Sequence, residues 1–501
     1  MSVILAQAAD FVAPDIDWWG IAPQLTLLSG ALLILLVMTL PPTTPPSWVA
    51  TGLSVLTSAI TLVLAGILWY DVRDEGPTSI IADALGVDGF SVFFMVLLPL
   101  IAIVGSLLAH EFASREGIAA PELHALFLSA ALGGIVMAQA NDLIVLFLGL
   151  ETLSLALYVA AAMYLRKATA QEAAVKYFVL GAFSSAFFLY GIALIYGATG
   201  STNLIDIDAF LDQTVLTENG MLLIGIGLLI VGLGFKVAAV PFHMWAPDVY
   251  QGAATPVSGV MAAMAKAAGF AAILRVLNQG LGLFEGDWTP LIWILAVLSL
   301  VVGSVMAVVQ TDVKRMLAYS SIAHAGYVLV AVEAASDEGT ASALFYVFTY
   351  SFLVLGSFGC LSALTGSGDA ASTLDDLRGL SRRRPMLAMA FTVLLLAQAG
   401  VPFTSGFIAK FLAIRSAAEA ESWALAIVAM VMAVVATYFY LRIIVSMWLT
   451  DAEESDPEVR VPVPVAVALA GCVAFTLVAG IVPQFLIEFA RDATPVLISG
   501  L

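Results

Sequence analysis

Residues Met221 to Leu277 hold two apolar helical runs parted by a proline-punctuated segment, and each run carries one lysine, Lys236 and Lys266. A lysine deep in a membrane helix is costly and marks function by default. The first run meets Pro241, which donates no backbone hydrogen bond and strands the carbonyl of Val237. Freed backbone at that depth is stable only where packed protein or a water-lined cavity satisfies it. The second run opens with Thr255 and Pro256, read as an N-cap followed by proline at the first helical position. Lys266 then stands about 15 Å along its helix, near the middle of a roughly 30 Å hydrocarbon core. Snorkelling to the interface suits a helix end, not that depth.

The rest of the 501 residues repeats this pattern. The chain is 61% hydrophobic and 11% charged, against about 25% charged in soluble domains. The fold class is therefore an all-α polytopic membrane protein, with room for about fourteen transmembrane helices. The formal net charge of −18 comes from acids gathered in a few loops, and no basic patch suits nucleic acid. Cys360 and Cys472 stand alone in apolar runs, so neither a disulfide framework nor a thiolate metal site is indicated. The N-terminal MSVILAQAADFVAPDIDWWG, including Ala6 to Ala8, lacks the basic segment of a signal peptide. There is no glycine-rich nucleotide motif, so redox or nucleotide chemistry would belong to another chain.

Expected spans run Gly20–Leu40, Trp48–Tyr70, Phe90–Leu108, Pro121–Ala140, Asn141–Met163 and Glu172–Tyr196. The pair around Lys236 and Lys266 follows, then Leu291–Val309, Val313–Ala334, Ala341–Leu364, Pro385–Ala417, Ser422–Leu449 and Val463–Phe489. As one helix, Pro385–Ala417 would measure about 50 Å, so Gly400, Pro402 and Gly406 are read as a break. The words Ala239-Val240-Pro241-Phe242 and Gly400-Val401-Pro402-Phe403 place breaks in the seventh and twelfth helices. Paired breaks point to two inverted five-helix repeats with a transport site between them. The expected divisions are residues 1–120 (helices 1–3), 121–280 (first repeat, helices 4–8), 281–450 (second repeat, helices 9–13) and 451–501 (helix 14).

With the N-terminus outside, Arg115, Arg166, Lys167, Lys314, Arg315, Arg378, Arg382, Arg383, Arg384 and Arg460 fall in cytoplasmic loops. Only Arg73 and Arg491 fall outside, which fixes the orientation and puts both termini there. The acidic loop Ser201–Glu218, with Asp206, Asp208 and Asp212, is then also outside.

Seven basic residues remain within spans: Lys176, Lys236, Lys266, Arg275, Lys410, Arg415 and Arg442. Arg275 and Arg442, near helix ends, read as snorkelling anchors. Arg415 is either an anchor or an exit-side group. Lys176 pairs with Glu172 at i−4 and is either an anchor or a proton-uptake group. Glu151 lies in the middle of the fifth helix, where a lone carboxylate must be neutralised or paired, and Lys236 is its expected partner. A proton gained by either member of such a pair shifts the other. His324, beside Ser320, Ser321 and Tyr327, suits proton relay or a hydrogen-bonded core position. For His243 and Asp248 a structural role is favoured over an uptake funnel. Glu151, Lys236, Lys266, His324 and Lys410 together form a polar axis parallel to the membrane plane, suited to proton transfer.

Several long words carry a resemblance: AVKYFVLGAFSSAFFLYGIALIYGATGS (Ala174–Ser201), FKVAAVPFHMWAPDVYQGAATPV (Phe235–Val257), KRMLAYSSIAHAGY (Lys314–Tyr327), LRGLSRRRP and AGVPFTSGFIAKF. The chain resembles the antiporter-like membrane subunits of respiratory complex I, the bacterial NADH-quinone oxidoreductase, and among them the subunit N family. The resemblance implies one proton-translocating module of a larger translocase in the bacterial plasma membrane, packed against other complex I membrane subunits and lipid. It places the family's helix-five glutamate on Glu151 and its lysines on Lys236, Lys266 and Lys410. NADH, FMN, iron–sulfur clusters and quinone would belong to partner subunits. Lys410, where a related subunit carries glutamate, and the end at Leu501, where another continues into a lateral helix, both favour subunit N. Gln251, Ala254 and Phe403 depart from the glutamate and prolines expected at those loop positions. The alternatives are a subunit of a multisubunit sodium/proton antiporter and an inactive structural membrane subunit.

Overall fold

The computed structural model describes residues 16–41, 45–214, 219–364, 368–369, 372–451 and 459–495. Ala6 to Ala8, Glu218 and both chain ends lie outside the described residues. The first crossings are α1 (Ala22–Thr39), α2 (Ser47–Glu75), α3 (Gly89–Glu116), α4 (Ala120–Gln139), α5 (Leu143–Ala162) and α6 (Ala168–Thr199). After α2 the chain forms a short antiparallel hairpin, β1 (Thr78–Ile80) with β2 (Leu85–Val87), which the span pattern did not indicate. A further amphipathic helix, α7 (Leu204–Gln213), lies in the acidic loop. The broken region comprises α8 (Gly220–Lys236) and α9 (Trp245–Gly252), followed by α10 (Thr255–Arg275). Next come α11 (Glu285–Val309), α12 (Val313–Glu333), α13 (Asp337–Leu364) and the short α14 (Leu380–Arg383). The second break separates α15 (Pro385–Ala399) from α16 (Ser405–Glu419), and α17 (Trp423–Leu449), α18 (Val463–Ile481) and α19 (Gln484–Arg491) complete the chain.

Among the described residues, twelve helices are long and apolar enough to cross a membrane. The broken pairs α8/α9 and α15/α16 supply the two remaining crossings of the expected fourteen. A broken crossing recurs five crossings after the first. Because five is odd, the second set of five starts from the opposite face, which inverts the repeat.

The inversion has a local signature. At the start of α5, Asp142 takes the N–H groups of Ile144 and Val145 at 2.7 and 3.2 Å and the Thr202 hydroxyl at 2.6 Å. At the start of α12, Asp312 takes the N–H of Arg315 at 2.8 Å and the Ser372 hydroxyl at 2.5 Å. Each aspartate also sits in an antiparallel bridge, Asp142 with Asn203 and Asp312 with Thr373. The same cap-and-bridge thus stands at opposite faces, one per repeat.

α10, α12 and α13 form the buried centre. By contrast α1, α6 and α17 turn apolar faces away from the chain, with Leu32, Phe183 and Val434 among the exposed side chains. Two local expectations are corrected here. Thr255 does not cap α10; Ala254 holds the cap position, and the Thr255 hydroxyl instead donates to Asp369 at 2.6 Å. Arg275 is no snorkelling anchor: it is fully buried and paired with Asp88 at 2.7 Å, because α3 and α4 pack over the end of α10.

Candidate functional site

Both breaks end a half-helix beside a lysine. α8 stops at Lys236, and Ala238 takes a φ of 57°. The final turn closes with Ala238 and Ala239 N–H groups donating to the carbonyls of Phe235 and Gly234 at 3.0 and 2.8 Å. Trp245 Nε1 reaches back to the Phe235 carbonyl at 3.0 Å, so a side chain covers a carbonyl that the break releases. α15 stops at Ala399, where Gly400 has a φ of 93°. There the Val401 N–H turns back to the Leu396 carbonyl at 3.0 Å, and Lys410 Nζ donates to the Ala399 carbonyl at 3.0 Å. A cation at the C-terminal end of a half-helix also meets the negative end of its dipole.

Lys236, Lys266, His324 and Lys410 are all buried, between 2% and 5% exposed. The three lysines share one arrangement: an oxygen acceptor together with the face of a tyrosine. Lys236 Nζ donates to Ser154 Oγ at 2.6 Å and lies 5.7 Å from the Tyr158 ring centre. Lys266 Nζ donates to the Ser321 carbonyl and lies 5.6 Å from the Tyr350 ring. Lys410 lies 4.9 Å from the Tyr327 ring. A ring face attracts a cation without offering a counter-charge that would trap it.

His324 stands between the tyrosines of the two later lysines, its ring 5.1 Å from that of Tyr350 and 6.5 Å from that of Tyr327. Its Nδ1 meets Tyr346 Oη at 2.8 Å and its Nε2 meets Tyr440 Oη at 3.1 Å. Tyr440 in turn bonds to Ser320, whose hydroxyl reaches Gln398 Oε1 at 3.4 Å, and Gln398 donates to Ser357 Oγ at 2.6 Å. Gln398 is the neighbour of Ala399, which takes Lys410. On the other side Tyr350 donates to Ser321 Oγ at 2.7 Å, on the residue whose carbonyl takes Lys266. Lys236 approaches this chain by packing: a Cβ added to Gly269, one turn beyond Lys266, would lie 3.2 Å from Lys236 Cγ.

Glu151 is placed differently from the expectation. It forms no direct ion pair with Lys236; Ser185 of α6 donates to Glu151, while Ser154, one turn further along α5, holds the ammonium. The reason is helical phase: Ser154 faces the buried side of α5, whereas Glu151 lies half-buried near an exposed stripe that includes Leu148 and Leu155.

The remaining candidates lie away from this chain of groups. Lys176 pairs with both Glu172 and Asp248, at 2.8 and 2.9 Å, and Asp248 also takes Arg315 at 2.6 Å. Arg415 forms an exposed pair with Glu419 at 2.8 Å, and Arg442 caps the carbonyls of Val308 and Gln310 at the end of α11. His243 is half-buried after the first break. Tyr158, Tyr346, Tyr350, Tyr440, Ser154 and Gln398 were not singled out from the sequence. An apolar helix with a tyrosine or serine carries no motif, and only the assembled helices reveal these partners.

The sequence profile of a family described as NADH:quinone oxidoreductase/Mrp antiporter, transmembrane, matches residues 140–439. Subunit N of the NADH-quinone oxidoreductase of Trichlorobacter lovleyi is 41% identical over 82% of this chain and 85% of its own length. Subunit N 3 from Streptomyces griseus is 40% identical over 97% of this chain and 96% of its own. A chain in the structure of respiratory complex I from Thermus thermophilus with bound aureothin is 34% identical, with a TM-score of 0.78 over 94% of this chain and 99% of that one. A chain of the Mrp complex from Dietzia sp., at 19% identity, shares the fold with a TM-score of 0.83 over 96% of this chain and 97% of that one. With profile, relatives and fold in agreement, the chain belongs to the NADH:quinone oxidoreductase/Mrp antiporter membrane-subunit family, and within it to subunit N of NADH-quinone oxidoreductase.

Proposed function

We propose that the chain moves protons outward across the bacterial plasma membrane as a membrane subunit of NADH-quinone oxidoreductase, with Glu151, Lys236, Lys266, His324 and Lys410 as the translocating groups. The observation that carries this reading is the hydrogen-bonded chain from His324 through Tyr440 and Ser320 to Gln398, the neighbour of the Lys410 acceptor Ala399. Hydroxyl and imidazole groups in series pass protons without carrying a solute, and the Gln398 amide accepts from Ser320 at the end of that series. The parting of repeats near residues 120, 280 and 450 puts Glu151, Lys236 and Lys266 in the first repeat and His324 and Lys410 in the second. NADH oxidation and quinone reduction, with FMN and iron–sulfur clusters, belong on this reading to partner subunits. Other membrane subunits and lipid cover the apolar faces of α1, α6 and α17. Both ends face outward, supported by the ten basic residues of the opposite loops.

The sodium/proton antiporter is the second reading. The 19% identity to the Mrp chain supports the shared fold alone, whereas the subunit N relatives at about 40% favour the first. The test is NADH-driven, quinone-dependent proton movement by membranes, divided by the amount of assembled complex. Lys266→Ala should lower the protons moved per NADH oxidised. An unchanged ratio in Lys266→Ala and Lys410→Ala alike would overturn the proposal. Outer-face labelling of a cysteine placed at Arg382 would overturn the orientation.

A further inference from the structure

α10 carries Lys266, is buried along its whole length, and has alanine or glycine at nine of its 21 positions. Helices hold their place on neighbours by seating ridges in grooves, and small side chains make shallow ridges. The middle of α10, from Val260 to Ala272, carries mostly small side chains, and the polar contacts gather at its two ends.

At its N-terminal end, Thr255 Oγ1 donates to Asp369 Oδ1 at 2.6 Å. Asp369 Oδ2 takes Lys314 Nζ at 3.0 Å, and Lys314 also donates to the Ala253 carbonyl, two residues before α10, at 2.8 Å. Lys167, from the loop after α5, donates to the Asp369 carbonyl at 3.0 Å. Asp369, Lys314 and Thr255 are all buried. At the C-terminal end, Arg275 grips Asp88 with two parallel bonds of 2.7 and 2.9 Å. It also donates to the Ala138 carbonyl at 3.0 and 2.7 Å and to Gln279 at 3.0 Å. Asp88 is itself fixed, because its Oδ1 caps α3 through the Ser91 N–H at 2.8 Å.

Buried ion pairs are poor stabilisers compared with apolar packing, and their best-attested use is to fix register. The register at stake is visible. Lys314 is the second residue of α12, the helix whose Ser321 carbonyl receives Lys266. Asp369 therefore ties the starts of the two helices whose middles meet at that bond. A slide of α10 by one residue is about 1.5 Å, enough to take an ammonium out of hydrogen-bond range.

We propose that Asp88 and Asp369 are positioning residues that fix the axial register of α10, and with it the placement of Lys266 against Ser321. This rests on the reading that Lys266 passes protons. The test uses the intact complex and the ratio of protons moved to NADH oxidised, measured per assembled complex. That ratio is blind to a mere loss of assembled protein. Arg275→Lys keeps the charge but loses the two-pronged grip, and Thr255→Val removes one hydroxyl while leaving Lys314 and Asp369 paired. Each alone should lower the ratio about twofold, and the two together should bring it to the level of Lys266→Ala, since a helix released at one end is still held at the other. Asp88→Asn and Asp369→Asn should do the same more strongly; if they block assembly, the two milder variants decide. A wild-type ratio in Arg275→Lys/Thr255→Val, alongside a lowered ratio in Lys266→Ala, overturns the positioning role alone. A wild-type ratio in Lys266→Ala removes Lys266 from the proton path and this inference with it.

Discussion

The two broken crossings bring a lysine to the blunt end of a half-helix from opposite sides of the break. Lys236 is the last residue of α8, before its break, and its ammonium turns sideways to the Ser154 hydroxyl on another helix. Lys410 belongs to α16, after its break, and reaches back to the carbonyl that closes α15. The first site is built from side chains on two helices, Lys236 of α8 with Ser154 and Tyr158 of α5, with Glu151 and Ser185 of α6 nearby. The second has a backbone acceptor, a glycine under the lysine stem and a tyrosine ring. One sequence word, repeated in two halves, thus supports a lysine held by a side-chain acceptor in one and by a main-chain acceptor in the other.

Removing the Lys410 site has the largest expected effect. Lys410→Ala should lower proton movement through this chain by at least about tenfold, as for loss of a positioned acid–base group. Lys410→Arg should fail as well, because guanidinium does not deprotonate; normal pumping by Lys410→Arg would reduce Lys410 to a fixed charge. Gly400→Ala ranks next. It forces a side chain into left-handed backbone, at about 1–2 kcal/mol, and sets a Cβ 3.1 Å from Lys410 Cδ. Complex yield on native gels and the proton ratio should both fall.

At the Lys236 site the effects should be graded. Glu151→Ala should impair pumping more than Glu151→Asp, which keeps the charge. Ser154→Ala, leaving a buried donor unmet at about 1–3 kcal/mol, should slow proton transfer while the complex still assembles. Equal rates in Ser154→Ala and wild type would mean that the hydroxyl merely fills space. Arg415→Gln should change pumping less than about twofold, since its pair with Glu419 is exposed; a loss matching Lys410→Ala would put Arg415 on the exit route.

The smallest effect concerns the scaffold. Burial acts to raise the Asp369 carboxyl, but the Lys314 and Lys167 ammoniums and the Thr255 hydroxyl outweigh it and hold it at about 2. Because that value lies below the ordinary 3.8, the stability it lends is present above about pH 4 and is lost as pH falls toward 2. Between pH 5 and 8, thermal unfolding of the complex should therefore show no step that Asp369→Asn removes.

The breaks and the buried cations were legible because proline, glycine and lysine are conspicuous in apolar runs. Lys236, Lys266, His324 and Lys410 stand among packed helices as the sequence indicated. The partners were not legible, since sequence spacing says little about which neighbouring helix a side chain meets. Glu151 was assigned to Lys236 as the other deep charge in the same half, whereas phase around α5 gives the ammonium's hydrogen bond to Ser154. Arg275 shows the same limit: its place near a helix end suggested an anchor, but the packing of α3 and α4 there makes it a buried clamp. The matched caps at Asp142 and Asp312 would have strengthened the repeat. Their words, Asn141-Asp142-Leu143 and Thr311-Asp312-Val313, are too short to be noticed without the paired loops.

The acceptor for Lys410 is a main-chain carbonyl, and this bears on how the site is inherited. A hydroxyl or carboxylate is written in a codon and can be lost by one base change. A carbonyl is present at every residue, so Ala399 can drift to other side chains without removing the oxygen that Lys410 needs. What selection must guard there is a shape, the left-handed turn at Gly400, and a single lysine. The first break has to preserve several side chains in step on separate helices, so the acceptor position of Lys410 should vary more freely between lineages than the partners of Lys236.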